Sequence, residues 1–306
     1  MKLTNKDLEK LSQIAIVAAR AAGQMIAVAA KSEVQVKTKV AGDSLASQVV
    51  TEIDFKAQEI ILEGLNPTLE TYRLGLLTEE SDDDNSRLSK DYFWCIDPLD
   101  GTLAFTKKRV GYAVSIALVS RAGIPILGVV FDPTSGTLYH ATQGQGAFKN
   151  GEKWIVDGYQ TNKEKALTLI TDQSFKNHNQ LPKITKKIED IATKLGHSGI
   201  KILDQGGAVM NAIWVMTNQP AYFVKLPKSN LGGGSLWDYA ATACILAELG
   251  AHTSDIHGNP LELNREGSTY LNHRGVIFAS DGALAKEIIG LVQKTVSLEI
   301  KEVQKN

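Results

Sequence analysis

The chain has 306 residues, with 33 basic and 34 acidic side chains and a formal net charge of −1. A nearly neutral chain has no overall electrostatic attraction to nucleic-acid polymers or anionic membranes, and 43% hydrophobic residues suffice for a substantial core. Cys95 and Cys244 fall in a predicted strand and a predicted helix, so we expect buried thiols and no structural zinc site. Residues 1–4 lack the apolar core of a signal peptide, and the cytoplasm is the expected compartment.

The amino-terminal segment predicts a long amphipathic helix. Thr4 and Asp7 have the spacing of a capping box, and apolar residues recur at helical spacing after them. Arg20 and Gln24 interrupt the apolar stretch, which favours a helix of a globular protein over a membrane span. The pattern then predicts a half-buried strand over residues 33–40, a turn over 41–44 and a second helix from about Asp54.

From residue 74 onwards the pattern is typical of strands. The predicted strands cover residues 74–77, 92–96, 112–119, 124–131 and 137–141, and Asn150-Gly151 is a hairpin turn. Strands that follow one another with short connections form a meander. We therefore predict a mostly antiparallel first sheet with the two helices on one face.

A polar stretch at residues 155–165 indicates a boundary between two halves. Residues 1–158 form an α+β half with most of the candidate metal ligands, and residues 159–306 form an α/β half with Asp238 and the substrate-specificity loops. The second half predicts strands at 166–171, 200–203, 221–224 and 275–279, and helices at 182–195, 208–216, 237–249 and 283–303. The expected fold is a layered sandwich of helices and sheets, with strand ends meeting at a cleft between the halves.

Acidic residues stand at the ends of several predicted elements. Asp97 and Asp100 follow the strand predicted at residues 92–96, and Glu79-Glu80 closes another strand. Asp54 and Asp238 each open a predicted helix. Strand ends and helix starts are where ligand sites gather in mixed folds, and acids that converge there raise each other's pKa unless a cation joins them. Since all the donors are oxygen, the fitting metals are Mg²⁺ first and Mn²⁺ or Ca²⁺ next.

Gly101 and Thr102 add a second element to this site. A helix that begins there would present free backbone N–H groups to a phosphate, and the Thr102 hydroxyl could orient a water whose proton Asp54 accepts. Each feature alone has an ordinary explanation, because a Glu-Glu pair is usually solvated and a lone Asp54 is usually a helix N-cap. Their joint order along one chain favours a shared site.

In this order the motifs resemble the inositol monophosphatase superfamily of Mg²⁺-dependent, lithium-sensitive phosphomonoesterases. The resemblance extends over roughly residues 10–285 and includes residues 111–118. It implies an α-β-α-β-α sandwich with a mixed second sheet, and a homodimer. The motif residues are Asp54, Glu79-Glu80, Asp97-Pro98-Leu99-Asp100-Gly101-Thr102 and Trp237-Asp238.

The resemblance implies two or three Mg²⁺ ions, with Mn²⁺ as a possible substitute. The first ion would bind Glu79, Asp97 and the backbone carbonyl of Leu99; the second would bind Asp97, Asp100 and Asp238; Glu79 would share a weaker third. Thr102 and Asp54 would activate water with help from Glu80, and backbone groups of Gly101 and Thr102 would hold the phosphate.

The departures from the family pattern concern the substrate. Inositol monophosphatases usually carry an acid shortly before Trp-Asp, whereas residues 222–228 contain no acid and include Lys225 and Lys228. Lysine suits a second anionic group, as in the 3′(2′),5′-bisphosphate nucleotidases, although Lys225 could equally be a solvated loop residue. The Ala240-Ala241 pair after Trp237-Asp238 also resembles that branch.

The expected partner is therefore a small phosphorylated metabolite, with neither a nucleic-acid polymer nor a membrane involved. The sequence predicts hydrolysis of 3′-phosphoadenosine 5′-phosphate to AMP and phosphate. Inositol monophosphatase activity is the alternative. Fructose-1,6-bisphosphatase, histidinol phosphatase and a non-catalytic phospho-ligand-binding protein remain further alternatives.

Overall fold

The computed structural model describes residues 2–32, 36–38, 49–156, 165–171, 181–228, 230–232 and 234–303. The predicted turn at 41–44 and most of the strand predicted at 33–40 lie outside the described residues, as do residues 157–164. The division into halves at residue 158 therefore stays a prediction.

The helices are α1 (Asn5–Ala29), α2 (Glu52–Thr71), α3 (Ser86–Ser89), α4 (Thr102–Thr106), α5 (Leu181–Leu195), α6 (Ala208–Thr217), α7 (Leu236–Glu248) and α8 (Gly282–Val303). The strands are β1 (Val36–Thr38), β2 (Val49–Thr51), β3 (Gly75–Thr78), β4 (Tyr92–Asp100), β5 (Ala113–Ser120), β6 (Pro125–Asp132), β7 (Thr137–Thr142), β8 (Ala147–Lys149), β9 (Glu152–Lys153), β10 (Leu167–Ile170), β11 (Ile200–Leu203), β12 (Ala221–Lys225), β13 (His252–Ser254) and β14 (Val276–Ala279). Short α3 and β13 are not predicted from the sequence.

The larger sheet contains the strands in the order β3-β4-β5-β6-β7-β8-β9. Its β3–β4 pair is parallel and its other pairs are antiparallel, so the prediction of a mostly antiparallel sheet is confirmed. Helices α1 and α2 cover one face, where Leu11 and Ile61 pack in one apolar cluster with Trp94 and Val129. The predicted capping box of α1 is present, with the Asp7 N–H donating to Thr4 Oγ1.

The second sheet has the order β11-β10-β12-β14-β13 and is mixed, as predicted. Helices α6 and α7 lie between the two sheets, and Val209 and Tyr239 share an apolar core with Phe93 on one side and Phe223 on the other. Helices α5 and α8 cover the outer face. The predicted α-β-α-β-α layering is therefore confirmed.

Helix α7 packs unusually close to the first sheet. A Cβ added to Gly128 on β6 would lie 2.3 Å from the carbonyl oxygen of Ala241, so only glycine leaves room for the helix backbone there. Ser115 on β5 also donates a hydrogen bond from Oγ to the Trp237 carbonyl, at 3.1 Å. These contacts place α7 against β5 and β6, and β5 is the strand that pairs with β4 and its acidic motif.

Within the described part of the chain, α1 is the one helix whose length and mean hydropathy of 1.4 would allow it to cross a bilayer. Half of that apolar window is buried. Its buried face packs against α2 and the first sheet, which is the environment of a core helix.

Candidate metal centre

The Asp97–Thr102 motif lies partly inside β4, and the prediction that the strand ends at Ile96 is wrong. Strand β4 continues to Asp100, with Asp97 paired to Ser115 and Asp100 paired to Ala113. The register shifts between these two pairs because Pro98 has no N–H to donate, and the two residues between the acids form a bulge. The bulge aims both carboxylates at the space between the sheets.

Three carboxyl groups converge at this bulge. Asp97, Asp100 and Asp238 each offer an oxygen, and these oxygens lie within 4.8 Å of one another. Burial raises the pKa of Asp97 well above its usual range, and the charges of Glu79, Asp100 and Asp238 raise it further. Burial and the charge of Asp238 act in the same direction on Asp100. Burial and the charge of Glu79 raise the pKa of Asp238 to about 6, against hydrogen bonds from Ser235 and Asp97.

The amino-terminal end of α6 holds the Asp100 carboxylate. The Ala208 N–H donates to Oδ1 at 3.1 Å, and the Val209 N–H donates to Oδ2 at 2.9 Å. These two donors are among the first-turn N–H groups that a helix leaves without internal partners. Gly207 has no side chain to obstruct the approach, since a Cβ there would lie 2.3 Å from Asp100 Oδ2.

Asp54 and Asp238 occupy the same position in their helices. Each is the third helical residue and closes a capping box with its N-cap residue, Thr51 or Ser235. The Thr51 N–H donates to Asp54 Oδ2 at 2.8 Å, and the Ser235 N–H donates to Asp238 Oδ2 at 2.7 Å. The boxes fix both carboxylates relative to the backbone.

Thr102 and Asp54 form a hydrogen-bonded pair beside the acidic cluster. The Thr102 Oγ1 lies 2.9 Å from Asp54 Oδ1 and 3.1 Å from the Leu99 carbonyl oxygen, and its single hydrogen can serve only one acceptor at a time. Burial raises the pKa of Asp54, and the hydrogen bonds from Thr51 and Thr102 offset part of the increase. A metal ion on the Leu99 carbonyl would leave the hydroxyl hydrogen to Asp54.

Glu79 and Glu80 directly follow β3, as predicted, and are half-buried. The Glu79 N–H donates to the Ile96 carbonyl at 3.2 Å, which attaches this turn to β4. The charge of Glu79 raises the pKa values of both Asp97 and Asp238, although the group of oxygens within 4.8 Å of one another comprises Asp97, Asp100 and Asp238.

Gly101 and Lys225 are the remaining residues of the predicted site. Gly101 has φ of 82° and precedes α4, a helix of five residues, so the predicted helix after the motif is present as little more than one turn. Lys225 is the last residue of β12 and is half-buried, and its charge lowers the pKa of Asp238.

The donor set fits a hard divalent cation. Every candidate ligand is a carboxylate or carbonyl oxygen, which is the chemistry that Mg²⁺ prefers. Burial without a cation leaves Asp97, Asp100 and Asp238 with raised pKa values, and a bound cation would stabilise their charged forms.

Sequence analysis did not identify several groups that position these acids. Thr51 and Ser235 could have been found from the Thr-x-x-Asp and Ser-x-x-Asp spacings, the same signal that identified the cap of α1. The amides of Ala208 and Val209 carry a weaker signal, the glycine pair just before α6. The buried amide of Gln58, which contacts the Glu79–Glu80 turn, carries no local motif.

Residues 7–297 match the Inositol monophosphatase family. Human Inositol monophosphatase 2 is 28% identical over 257 residues, which cover 83% of this chain and 83% of the human protein. The Nus factor SuhB of Escherichia coli (strain K12) is 29% identical over 251 residues, which cover 82% of this chain and 87% of SuhB.

A solved structure of SaIMPase-II with bound 2′-AMP superimposes with a TM-score of 0.69. The match covers 98% of this chain and 99% of that protein at 21% identity. At this level of identity the likeness shows a shared fold alone.

Proposed function

The chain belongs to the inositol monophosphatase family, whose members are phosphoric monoester hydrolases. On that premise we propose a Mg²⁺-dependent phosphatase that releases phosphate from a small phosphorylated metabolite in the cytoplasm. The observation that carries this proposal is the convergence of Asp97, Asp100 and Asp238 beside the Thr102–Asp54 pair. The homodimer and the lithium inhibition that the resemblance implies stay predictions.

In the proposed reaction, Thr102 and Asp54 orient the attacking water and receive its proton. The Thr102 hydroxyl donates to Asp54 Oδ1, so its own lone pairs are available to accept a hydrogen bond from the water. The proton passes through Thr102 Oγ1 to the Asp54 carboxylate, whose pKa is already raised by burial. Glu80 supports this proton transfer from the neighbouring turn.

Glu79, Asp97 and the Leu99 carbonyl would hold one cation, and Asp97, Asp100 and Asp238 would hold a second. Glu79 would share a weaker third. Mg²⁺ held by these residues would lower the pKa of the attacking water and neutralise charge on the phosphate oxygens. The backbone N–H groups of Gly101 and Thr102, at the start of α4, are proposed to contact the phosphate itself.

For the substrate we propose a molecule with a second anionic group, and 3′-phosphoadenosine 5′-phosphate is the first candidate. Lys225 supports this choice because its charge already acts on Asp238, one of the proposed ligands. No carboxylate occurs in residues 222–228 that could bind the hydroxyl groups of a polyol. SaIMPase-II, which shares the fold, has been solved with bound 2′-AMP and with bound inositol monophosphate, so its ligands favour neither candidate over the other.

Inositol monophosphate is the second candidate. The observation that favours it is the name of the human relative, with which this chain shares 28% identity. If it is the substrate, Lys225 does not contact the ligand, and the polyol hydroxyl groups bind elsewhere.

Phosphate release with and without Mg²⁺ tests the proposal. The panel contains 3′-phosphoadenosine 5′-phosphate, inositol 1-phosphate, fructose 1,6-bisphosphate and histidinol phosphate. We expect Mg²⁺-dependent release that is fastest from the nucleotide. Faster release from inositol 1-phosphate would select the second candidate, and no release from any compound would favour a non-catalytic phospho-ligand-binding protein.

The Lys225→Glu variant tests the specificity argument. A lost charge-assisted hydrogen bond is worth about 1–3 kcal/mol, so KM for the bisphosphate should rise roughly 5–160-fold while KM for inositol 1-phosphate changes little. Lys201→Glu makes the same charge change at an exposed position on β11 and serves as the control. Equal changes for both substrates would reject a specific role for Lys225.

A further inference from the structure

The buried side chain of Gln58 lies one helical turn after Asp54 on α2, and its amide makes four hydrogen bonds to the segment 78–81. Its Oε1 accepts from the Thr78 hydroxyl at 2.6 Å and from the Glu80 N–H at 3.2 Å. Its Nε2 donates to Ser81 Oγ at 2.9 Å and to the Glu80 carbonyl at 3.3 Å. One side chain thus contacts both main-chain polar groups of Glu80.

This arrangement connects the turn to both elements that carry the other acids. The Glu79 N–H bonds to the Ile96 carbonyl on β4, the strand of Asp97 and Asp100. Glu80, the next residue, bonds to Gln58 on α2, the helix of Asp54. Two consecutive residues are therefore attached to two different elements, and rotation of the turn about either attachment is restrained by the other.

A buried amide is well suited to holding the Glu79–Glu80 turn in place. Gln58 is 7% exposed, so water has little access to replace the bonds that it makes. If the amide is lost, the Thr78 hydroxyl and the Glu80 N–H lose an acceptor and the turn must move to find others. Any such movement displaces the Glu79 carboxylate, whose charge acts directly on Asp97 and Asp238.

We propose that Gln58 is a positioning residue that sets the Glu79–Glu80 turn at the distance from Asp54, Asp97 and Asp238 that cation binding needs. It touches neither substrate nor cation and acts through Glu79 and Glu80. The inference rests on the proposed function only for the identity of the cation, since the hydrogen bonds exist independently of any activity.

The test replaces Gln58 by Leu, a side chain of similar volume without hydrogen-bonding groups. Residues that orient metal ligands without touching the metal typically contribute 10–100-fold to metal affinity. Mg²⁺ binding measured by titration calorimetry should therefore weaken by about that factor. In the activity assay we expect a higher Mg²⁺ requirement and a lower kcat, with an unchanged KM at saturating Mg²⁺.

Two further variants separate positioning from stability. Thr68→Val removes another buried hydrogen-bonding group of α2, which bonds to Trp94 Nε1 at 2.8 Å and lies far along the helix from the turn. It should lower the unfolding temperature without changing Mg²⁺ affinity. Gln58→Glu keeps an acceptor for Thr78 and the Glu80 N–H, and should recover most of the affinity that Gln58→Leu loses.

Wild-type Mg²⁺ affinity in a folded Gln58→Leu variant would overturn the proposal. Equal losses of affinity in Gln58→Leu and Thr68→Val would overturn it as well, because general destabilisation would then explain both. Calorimetry reports on binding and the phosphate assay reports on turnover. A wild-type protein that binds Mg²⁺ but releases no phosphate would refute the proposed function while the affinity ratio still decides the role of Gln58.

Discussion

Replacement of Asp97 by Asn should make the protein more stable than the wild type without a cation and less stable than the wild type with Mg²⁺ bound. Asp97 has a pKa raised well above its usual range, chiefly by burial and then by the charges of Glu79, Asp100 and Asp238. An Asn at this position still has an amide that can donate to Asp238, but it brings no charge. Without a cation, the variant therefore has less charge repulsion among its carboxylates. With Mg²⁺, it has one carboxylate ligand fewer.

The magnitude follows from the raised pKa values. An acid whose pKa is higher in the folded than in the unfolded protein stabilises the fold only while it is protonated, and that contribution is lost as the pH rises through the folded pKa. Asp238 sets the scale for one buried acid of this cluster, since its rise from 3.8 to about 6 corresponds to a loss on the order of 3 kcal/mol above both values. With an unfolding entropy of roughly 2 cal/mol/K per residue, 3 kcal/mol shifts the Tm of 306 residues by about 5 °C.

Thermal unfolding at pH 5 and pH 8, in EDTA and in Mg²⁺, measures the charge repulsion and the contribution of the cation separately. In EDTA the wild-type protein should lose Tm between these two pH values, and Asp97→Asn should lose less, by about 2 °C, because about one pH unit of the window between 3.8 and 6 lies above pH 5. In Mg²⁺ at 100 times its Kd the wild-type protein should gain about 2.7 kcal/mol, and the variant should gain little and lose several orders of magnitude in turnover.

The control is Asp82→Asn, the same change at an exposed position three residues from Glu79. It should leave the Tm and its response to Mg²⁺ unaltered. An Asp97→Asn variant that is less stable than wild type in EDTA at pH 8, or that keeps the full Mg²⁺ response, would refute this reasoning.

Three further changes test other contacts. Thr102→Val removes the hydroxyl that bonds to Asp54, so kcat should fall about 10²–10⁴-fold with unaltered Mg²⁺ affinity in calorimetry; normal kcat would exclude the proton path. Arg87→Met leaves Asp83 without its 2.8 Å ion pair and should lower the free energy of unfolding in urea by roughly 3 kcal/mol. An unchanged urea midpoint would show that the ion pair does not stabilise the fold. Gly128→Ala pushes a methyl group against the Ala241 carbonyl and should cost about 1–3 kcal/mol and weaken Mg²⁺ binding; an unchanged Tm would contradict the close packing.

The acidic residues of the candidate site could be predicted from the sequence because each lies next to a strong local pattern. Glu79 follows an apolar run, and Asp238 precedes a long apolar helix. Their side-chain orientations could not be predicted in the same way. The capping bond that orients Asp238 is local, but the α6 amides that hold Asp100 lie more than a hundred residues further along the chain and reach it only in the folded protein.

The end of β4 and the role of Gln58 show two different limits. Asp97-Pro98 reads as a strand end because proline interrupts a ladder, yet pairing of Asp100 with Ala113 continues the strand beyond the bulge. Gln58 lies on a helical face with ordinary apolar spacing, and its partners are some twenty residues further along the chain. Nothing local distinguishes it from a solvated glutamine.

The placement of Asp238 at the start of α7, between the two sheets, has a consequence for the growing chain. A nascent polypeptide exposes Asp97 and Asp100 long before the ribosome has made α7, and until then the cluster lacks its third acid. Only a molecule with both sheets assembled around α7 can bind the cation through all three carboxylates. Bound Mg²⁺ would thus stabilise the finished protein, whereas incomplete chains, which chaperones and proteases must recognise, would lack that stabilisation.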